Sequence, residues 1–344
     1  MEENNKKRWF IVSDIHSFGD ILEKTLKQCG FDKNNKNHTL IVCGDIFDRG
    51  TKTVKVYNYL KSIPKKRCIL IKGNHEQLYM DLLNKYFPEP HDFSNGTVLT
   101  FAQIAGYGLD AVYDLRMADS QGLSSMFGDS YDMPKESLDL WRDIKKKVRE
   151  SEITKWLQSK QWVNYYESDK YIFVHSFIPL IFDNSERGLN EDYCIYYGWT
   201  QMFKYKENWR EATDLEWSNA AWGCPYKFFD AGLFNQEKEK GKVLVCGHYR
   251  CSEFNVHYLN SNENDHSLYF GKNLIAIDAT TALSNKINVL IIDEDGKCYD
   301  QGGLLEYKKP IPIIETVTLS EEEYKKVVEE EYDKYAHAND VTNY

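Results

Sequence analysis

Five short blocks of the 344-residue sequence set carboxylates, an amide and imidazoles beside small residues: Asp14-Ile15-His16, Gly44-Asp45-Ile46-Phe47-Asp48-Arg49-Gly50, Gly73-Asn74-His75-Glu76, Val174-His175 and Gly247-His248. One such block says little, because a lone Asp-x-His, or a His after an apolar run, is usually a satisfied polar residue or a turn former. Together they offer the mixed oxygen and imidazole donors that suit a pair of divalent transition metals. Burying so many polar groups without cations would be costly. Gly44, Gly73 and Gly247 let the chain turn sharply where a donor must project.

The elements that must position these blocks are legible upstream of each one. Trp9 to Val12, Thr39 to Val42 and Cys68 to Ile71 are short β-rich runs. Between them, Ile21, Leu22, Leu26 and Cys29, then Val56, Leu60 and Ile63, recur at helical spacing, and Gly30 supplies a stop. A β-α-β-α-β order predicts parallel strands with crossover helices, and parallel sheets carry their functional loops at the carboxyl ends of the strands. Asp14, Asp45 and Asn74 each follow such a strand, so three loops remote in sequence are expected on one sheet edge.

Tyr171 to Val174 and Val243 to Cys246 are further strands, ending at His175 and His248. The stretch from Tyr86 to Lys160 reads as mostly helical, with one helix from Lys135 to Glu150. Residues 180–240 are rich in Trp, Tyr and Asn without a clean period, which predicts a large loop or small helical insertion whose aromatic residues serve as packing. Leu274 to Ile277, Ile287 to Ile292 and Lys297 to Tyr299, with a turn at Asp295-Gly296, read as antiparallel hairpins. The tail opens with Ser320 and Glu323 in capping-box spacing and predicts a terminal helix. The domain expectation is therefore a catalytic domain over residues 1–310, with its insertion at about 180–240, and a helical tail over 311–344.

Composition excludes several classes. A formal charge of −10 and a pI near 5.5 argue against stable nucleic-acid binding, which needs clustered Lys and Arg. The runs Lys65 to Arg67 and Lys145 to Lys147 read as solvated turn and helix faces. No segment reaches the roughly 18 apolar residues that span a bilayer, and the first ten residues lack the apolar stretch of a secretory signal. No membrane association and a cytoplasmic location are expected. The eight cysteines lack CxxC spacing and read as reduced, mostly buried thiols, Cys246 and Cys251 beside His248 included. Nothing in the sequence sets an oligomeric state.

The blocks resemble those of the calcineurin-like metallophosphoesterases, and within them the phosphoprotein phosphatase branch of bacterial and phage type. That pattern reads DxHG, GDxxDRG, GNHE, a later VHAG-type His and a GH pair, and the likeness runs from Asp14 to about Asp278. Asn95-Gly96-Thr97 through Thr100 and Trp162 to Pro179 share it. The resemblance implies an α/β fold with a central β-sandwich of mixed sheets flanked by helices. It implies one metal held by Asp14, His16 and Asp45, and a second held by Asp45, Asn74, His175 and His248, with Asp45 bridging. Manganese is the leading candidate, with iron or zinc compatible. Such ions sit about 3.5 to 4 Å apart, and a water held between them has its pKa lowered toward neutrality. The resemblance also implies His75 as general acid, Asp48 as the group that orients it, and Arg49 as a fork for phosphate oxygens. Glu76 reads as a loop brace.

The expected activity is hydrolysis of phosphate monoesters, foremost as a serine/threonine protein phosphatase, with a dinucleoside tetraphosphatase as the alternative. The expected partner is thus a phosphorylated protein or a nucleotide. Three positions depart from the pattern. Ser17 stands where Gly is usual, with the prospect of narrowing the approach to the metals, and Ser176-Phe177 replaces Ala-Gly. Trp217 is followed by Ser218 and Asn219, where the family offers a second phosphate-binding Arg. Arg210 and Arg250 are the candidates to replace it.

Overall fold

The computed structural model describes residues 6–124, 134–183 and 190–307. They belong to the first of two compact units, Met1–Lys309, and the helix expected over 311–344 lies outside the described residues. Along the chain run β1 (Arg8–Val12), α1 (Gly19–Gln28), β2 (His38–Cys43), α2 (Thr53–Lys61), β3 (Cys68–Ile71) and α3 (Asn74–Asn84). A helical stretch follows: α4 (Pro90–Ser94), α5 (Thr97–Ala105), α6 (Leu109–Ser124), α7 (Lys135–Glu150) and α8 (Glu152–Leu157). The short strands β4 (Trp162–Val163) and β5 (Tyr166–Glu167) lead into β6 (Tyr171–Phe173), and then come β7 (Leu180–Phe182), α9 (Glu191–Tyr197), β8 (Phe203–Tyr205), α10 (Asp214–Ala220) and α11 (Pro225–Asp230). The chain returns through β9 (Val243–Cys246), α12 (Cys251–Leu259), β10 (Tyr269–Phe270), β11 (Leu274–Ala276), α13 (Thr281–Ser284), β12 (Leu290–Asp293), β13 (Cys298–Asp300) and β14 (Gly303–Leu304).

Two mixed sheets stack. The first has the order β14-β13-β12-β1-β2-β3-β4 and the second β10-β11-β9-β6-β5. The two-residue alternation of side chains along each strand builds the layers. Phe10, Val12, Leu40, Val42 and Leu70 face one helical layer with Leu22, Leu26, Val56 and Leu60 of α1 and α2. Ile11, Ile41, Cys43 and Ile71 turn the other way and meet Phe173, Val245 and Ile275 of the second sheet. The far face of that sheet, with Ile172, Leu244, Cys246 and Leu274, is covered by the described residues of the aromatic-rich segment, 180–183 and 190–240, and by α12. This is the sandwich of mixed sheets flanked by helices that the resemblance implied.

The aromatic-rich segment builds core. Met202, Phe203, Trp209, Trp217 and Phe228 pack against Ile172 and Val174, while β7 and β8 pair as a separate two-stranded ribbon. Its elements run to only three to seven residues, which is why no period shows in the sequence. The helical stretch forms its own cluster, in which Phe101 of α5 stacks on Trp141 of α7 with ring centroids 5.8 Å apart.

One expectation is corrected. Leu274 to Ile277 and Ile287 to Ile292 do not pair as a hairpin, because β11 runs parallel to β9 in one sheet whereas β12 is antiparallel to β1 in the other. The linking segment crosses the sandwich edge, held where Thr281 Oγ1 donates to the Asp14 carbonyl at 2.8 Å. The basic runs also do more than face solvent. Arg67 donates to the carbonyls of Asn35 (2.7 Å) and Lys33 (2.6 Å). Lys145 of the second run, and Arg149 two residues beyond that run, donate to the carbonyls of Lys85 and Leu83, both at 2.6 Å, and so cap the C-terminal end of α3. All eight cysteines are free, and Cys246 and Cys251 spend their thiols on the carbonyls of Ile275 and Ala276. No helix among the described residues is long and apolar enough to cross a membrane.

Candidate metal centre

β1, β2 and β3 are mutually parallel, as are β6, β9 and β11, so both sheets deliver strand ends to one rim. The loops there are stitched to one another. Asp14 N–H donates to the Gly44 carbonyl, His16 N–H to that of Asp45, Gly50 N–H to that of His16, and Gly247 N–H to that of His175. A Cβ on Gly247 would overlap Ser13 Oγ and Asp14 Oδ2, so only glycine lets the loops from the two sheets interlock.

The strands end in strained backbone. Asp14, His16, Asp45, Asp48, Arg49 and His248 all adopt left-handed φ values between 48° and 75°. For a residue with a side chain this conformation costs about 1 kcal/mol or more, and it persists only where the surroundings enforce it. Six of the nine residues singled out from sequence share it, which marks the rim as built for the direction of its side chains.

Those side chains converge around Asp45. His16 Nε2 lies 3.7 Å from Asp45 Oδ2 and 4.0 Å from Asp14 Oδ1. His175 Nε2 lies 3.4 Å from Asp45 Oδ1 and 2.8 Å from Asn74 Oδ1. Asp45, His175 and His248 place one donor each within 4.8 Å of one another, as do His16, Asp45 and His75. All but the exposed Arg49 and the half-buried His248 are buried. His16 Nδ1 donates to the Phe47 carbonyl at 3.0 Å and His175 Nδ1 to that of Cys43 at 2.8 Å, so each turns a free Nε2 lone pair toward Asp45.

The electrostatics fit cations. Burial, then the charge of Asp45, raises Asp14 to about 6. Burial also opposes the charge of Asp45, but His175, His75, His16 and His248 outweigh it and hold that carboxyl far below its usual range. Burial and a neighbouring imidazole, His75 for His16 and His175 for His248, push His16 well below its ordinary value and His248 down to about 3. Neutral imidazole and ionised carboxylate are the forms that bind metal. This donor set therefore suits divalent cations, with carboxylates crowded together and neutral nitrogens aimed at them.

A second layer fixes the first. Glu76, on the first turn of α3, accepts the backbone N–H groups of Asp45 (3.0 Å), Ile46 (3.0 Å) and Gly73 (2.7 Å). Burial and Asp45 raise its carboxyl to about 7 against those bonds. Asp14 Oδ2 accepts from Ser13 Oγ and from His248 N–H, the latter at 2.9 Å. Beside the cluster, His75 Nδ1 bonds Asp48 Oδ2 at 2.7 Å, while Thr97 and Thr100 of α5 each donate to Asp48 at 2.8 Å. Burial works against a charged His75, but Asp45 and Asp48 prevail and raise it to about 9. The Arg49 guanidinium stands 3.4 Å from His75 Nε2. Thr97 and Thr100 lie in the stretch that shares the resemblance but were given no role there, and Ser13 and Thr281 were not singled out from sequence. The three-residue spacing of Thr97 and Thr100, which sets both on one helix face, was the signal available.

The departures resolve locally. Ser17 directs its hydroxyl to Thr53 at 2.8 Å, away from the donors, and leaves the approach open. Ser176 donates to the Gly223 carbonyl at 2.5 Å, and Phe177 packs on Phe228. Arg210 is not a phosphate anchor, because its guanidinium is bonded to Glu167 through two nitrogens and to Glu239 through one. Arg250 is exposed at the start of α12. A third donor group, Glu89, His91 and Asp92, already surrounds the ammonium of Lys85.

Fold and rim together define a two-sheet α/β sandwich whose converged carboxylate, amide and imidazole donors suit divalent cations. Residues 8–276 match the calcineurin-like phosphoesterase family, and the chain belongs to that family. It is similar to serine/threonine-protein phosphatase 1 of Salmonella typhimurium, 31% identical over 81 residues, which is 24% of this chain and 35% of that protein. It is also similar to the symmetrical bis(5'-nucleosyl)-tetraphosphatase of Vibrio vulnificus, 39% identical over 67 residues, 20% of this chain and 24% of that one. The chain thus spans about a quarter to a third of the length of these curated relatives. Among solved structures, a cold-active protein-tyrosine phosphatase of a psychrophilic Shewanella species aligns at 17% identity with a TM-score of 0.43, over 86% of this chain and 81% of that one.

Proposed function

We propose that this metallophosphoesterase hydrolyses phosphate monoesters and acts as a serine/threonine protein phosphatase. Asp14, His16 and Asp45 would hold one divalent cation, and Asp45, Asn74, His175 and His248 a second. Manganese is the first ion to try, with iron and zinc compatible with the same donors. When bound, the two ions supply the positive charge that activates a water and offsets the phosphoryl oxygens.

The chain's own residues do the rest. Arg49 grips phosphate oxygens through its planar fork at the mouth of the site. Asp48 accepts the Nδ1 proton of His75, fixing the ring so that Nε2 faces the site, and Thr97 and Thr100 hold Asp48 in place. As the water oxygen bonds to phosphorus and the bond to the serine or threonine oxygen breaks, His75 Nε2 gives that oxygen its proton. The products are the free hydroxyl and inorganic phosphate. His75 also lies near Asp45, 3.9 Å from Oδ2, but the adjoining Arg49 cation makes it a poor metal ligand.

One observation carries this reading: the His75–Asp48 pair stands beside Arg49 at the edge of the converged donor set. The test is product analysis with manganese-loaded protein offered a phosphoserine peptide and diadenosine tetraphosphate. Release of inorganic phosphate from the peptide supports the reading. Turnover of the nucleotide alone, giving nucleoside diphosphates, would favour the tetraphosphatase alternative.

A further inference from the structure

The outward side of α6 is apolar where the solvent side of a surface helix is ordinarily polar. Its inward side is spent on the domain: Leu115 and Ala118 join Phe101 of α5 and Trp141 of α7 in one buried cluster, with Val112 packed against it. On the opposite side Leu109, Tyr113 and Met117 are 64%, 64% and 42% exposed. Four-residue spacing stacks these three into a single stripe along the helix. No other helix among the described residues carries three large exposed apolar side chains. Asp110 and Arg116, both exposed, flank the stripe on its two sides, one three residues before Tyr113 and the other three residues after it.

We infer that this stripe is a contact between two copies of the chain, their α6 helices laid antiparallel across a two-fold axis at Tyr113. Two-fold symmetry makes residue i meet residue j, and j meet i. Centred on Tyr113, it sets Leu109 of one copy against Met117 of the other, the Tyr113 rings against each other, and Asp110 against Arg116. Apolar meets apolar and anion meets cation along the whole stripe. A parallel pair would instead oppose Asp110 to Asp110 and Arg116 to Arg116, which repel. The match between the stripe and its own rotated image names a second copy as the occupant. One helix face of this length is at the small end of specific interfaces, so the dimer is weak, with a Kd on the order of 10⁻⁴ M.

Sedimentation equilibrium of the full chain is expected to show monomer at about 10 μM and substantial dimer at about 300 μM. Asp110→Arg and Arg116→Asp each put like charges across the contact and should weaken association about tenfold. Mixing the two variants, or joining both changes in one chain, restores opposite charges and should recover it. Oxidative crosslinking checks the register. Tyr113→Cys, on the axis, is expected to link two chains, as is a mixture of Leu109→Cys with Met117→Cys. Leu109→Cys alone is not, because its two copies stand about 12 Å apart along the helices, beyond disulfide reach. A chain that stays monomeric at every concentration overturns the inference. So does a dimer indifferent to both charge variants, which would place the contact on another surface.

Discussion

The Glu76 carboxylate accepts the backbone N–H of Asp45 at 3.0 Å, so a residue on α3 sets the angle at which the central donor leaves β2. The same carboxylate holds Ile46 and Gly73, which ties the second and third loops together behind the candidate metal centre. Metal affinity should therefore depend on a residue that never meets the metal. Glu76→Gln puts an amide nitrogen against N–H donors, and manganese affinity measured by calorimetry is expected to fall about 10- to 100-fold. Unchanged affinity would remove Glu76 from the support of Asp45.

His75 protonates the leaving oxygen in this account, so its loss should matter most where the leaving group is poor. His75→Asn is expected to lower kcat about 10²- to 10⁴-fold on phosphoserine peptides and much less on p-nitrophenyl phosphate, whose leaving group needs no proton. Equal losses on both substrates would point to a structural role. Asp48→Asn should follow the same pattern more weakly, because it disturbs the orientation of His75 rather than the proton itself.

Arg210 has a structural task with a pH signature. Hydrogen bonding from Arg210, opposed by burial and helped by Lys242, holds the Glu167 carboxyl down to about 2. The unfolded chain thus binds a proton that the folded chain does not between about pH 4.5 and pH 2, and this contribution is present above that window and lost as pH falls through it. Arg210→Met also strips the buried Glu239 of its partner and should cost about 3 kcal/mol near neutral pH. Thermal melts of the two proteins should converge as the pH drops toward 2. KM for p-nitrophenyl phosphate should stay unchanged, whereas a rise would restore Arg210 as a phosphate anchor.

Gly247 is where the loops of the two sheets meet. An added methyl overlaps Ser13 and Asp14, so Gly247→Ala must displace a proposed ligand or open the rim. A fall in stability of about 1 to 3 kcal/mol by urea unfolding, with weaker manganese binding, is the expected outcome. A variant as stable and as tightly metal-bound as the parent would mean that the interlock is not needed.

Much of the fold was legible because apolar alternation and helical spacing locate β1, β2, β3, β6 and β9, and parallel order then sends Asp14, Asp45, Asn74, His175 and His248 to one rim. The hairpin reading of residues 274–292 failed for a specific reason. Short apolar runs look alike whether they pair with each other or with different sheets, and only tertiary packing separates β11 from β12. The left-handed backbone at six site residues was hidden as well, since glycine announces such conformations far more strongly in a sequence than the Asp, His and Arg that adopt them here. The aromatic segment kept its role as packing but hid its strands and helices, each too short to show a period.

The central claim is that two cations share the Asp45 carboxylate, and the direct measurement is a manganese titration of chelator-treated protein by calorimetry, checked by elemental analysis. Two ions per chain are expected, with Asp45→Asn losing both sites and Asp14→Asn weakening chiefly one. A protein that binds no divalent ion, or binds two with Asp45 replaced as tightly as with it in place, would contradict the account.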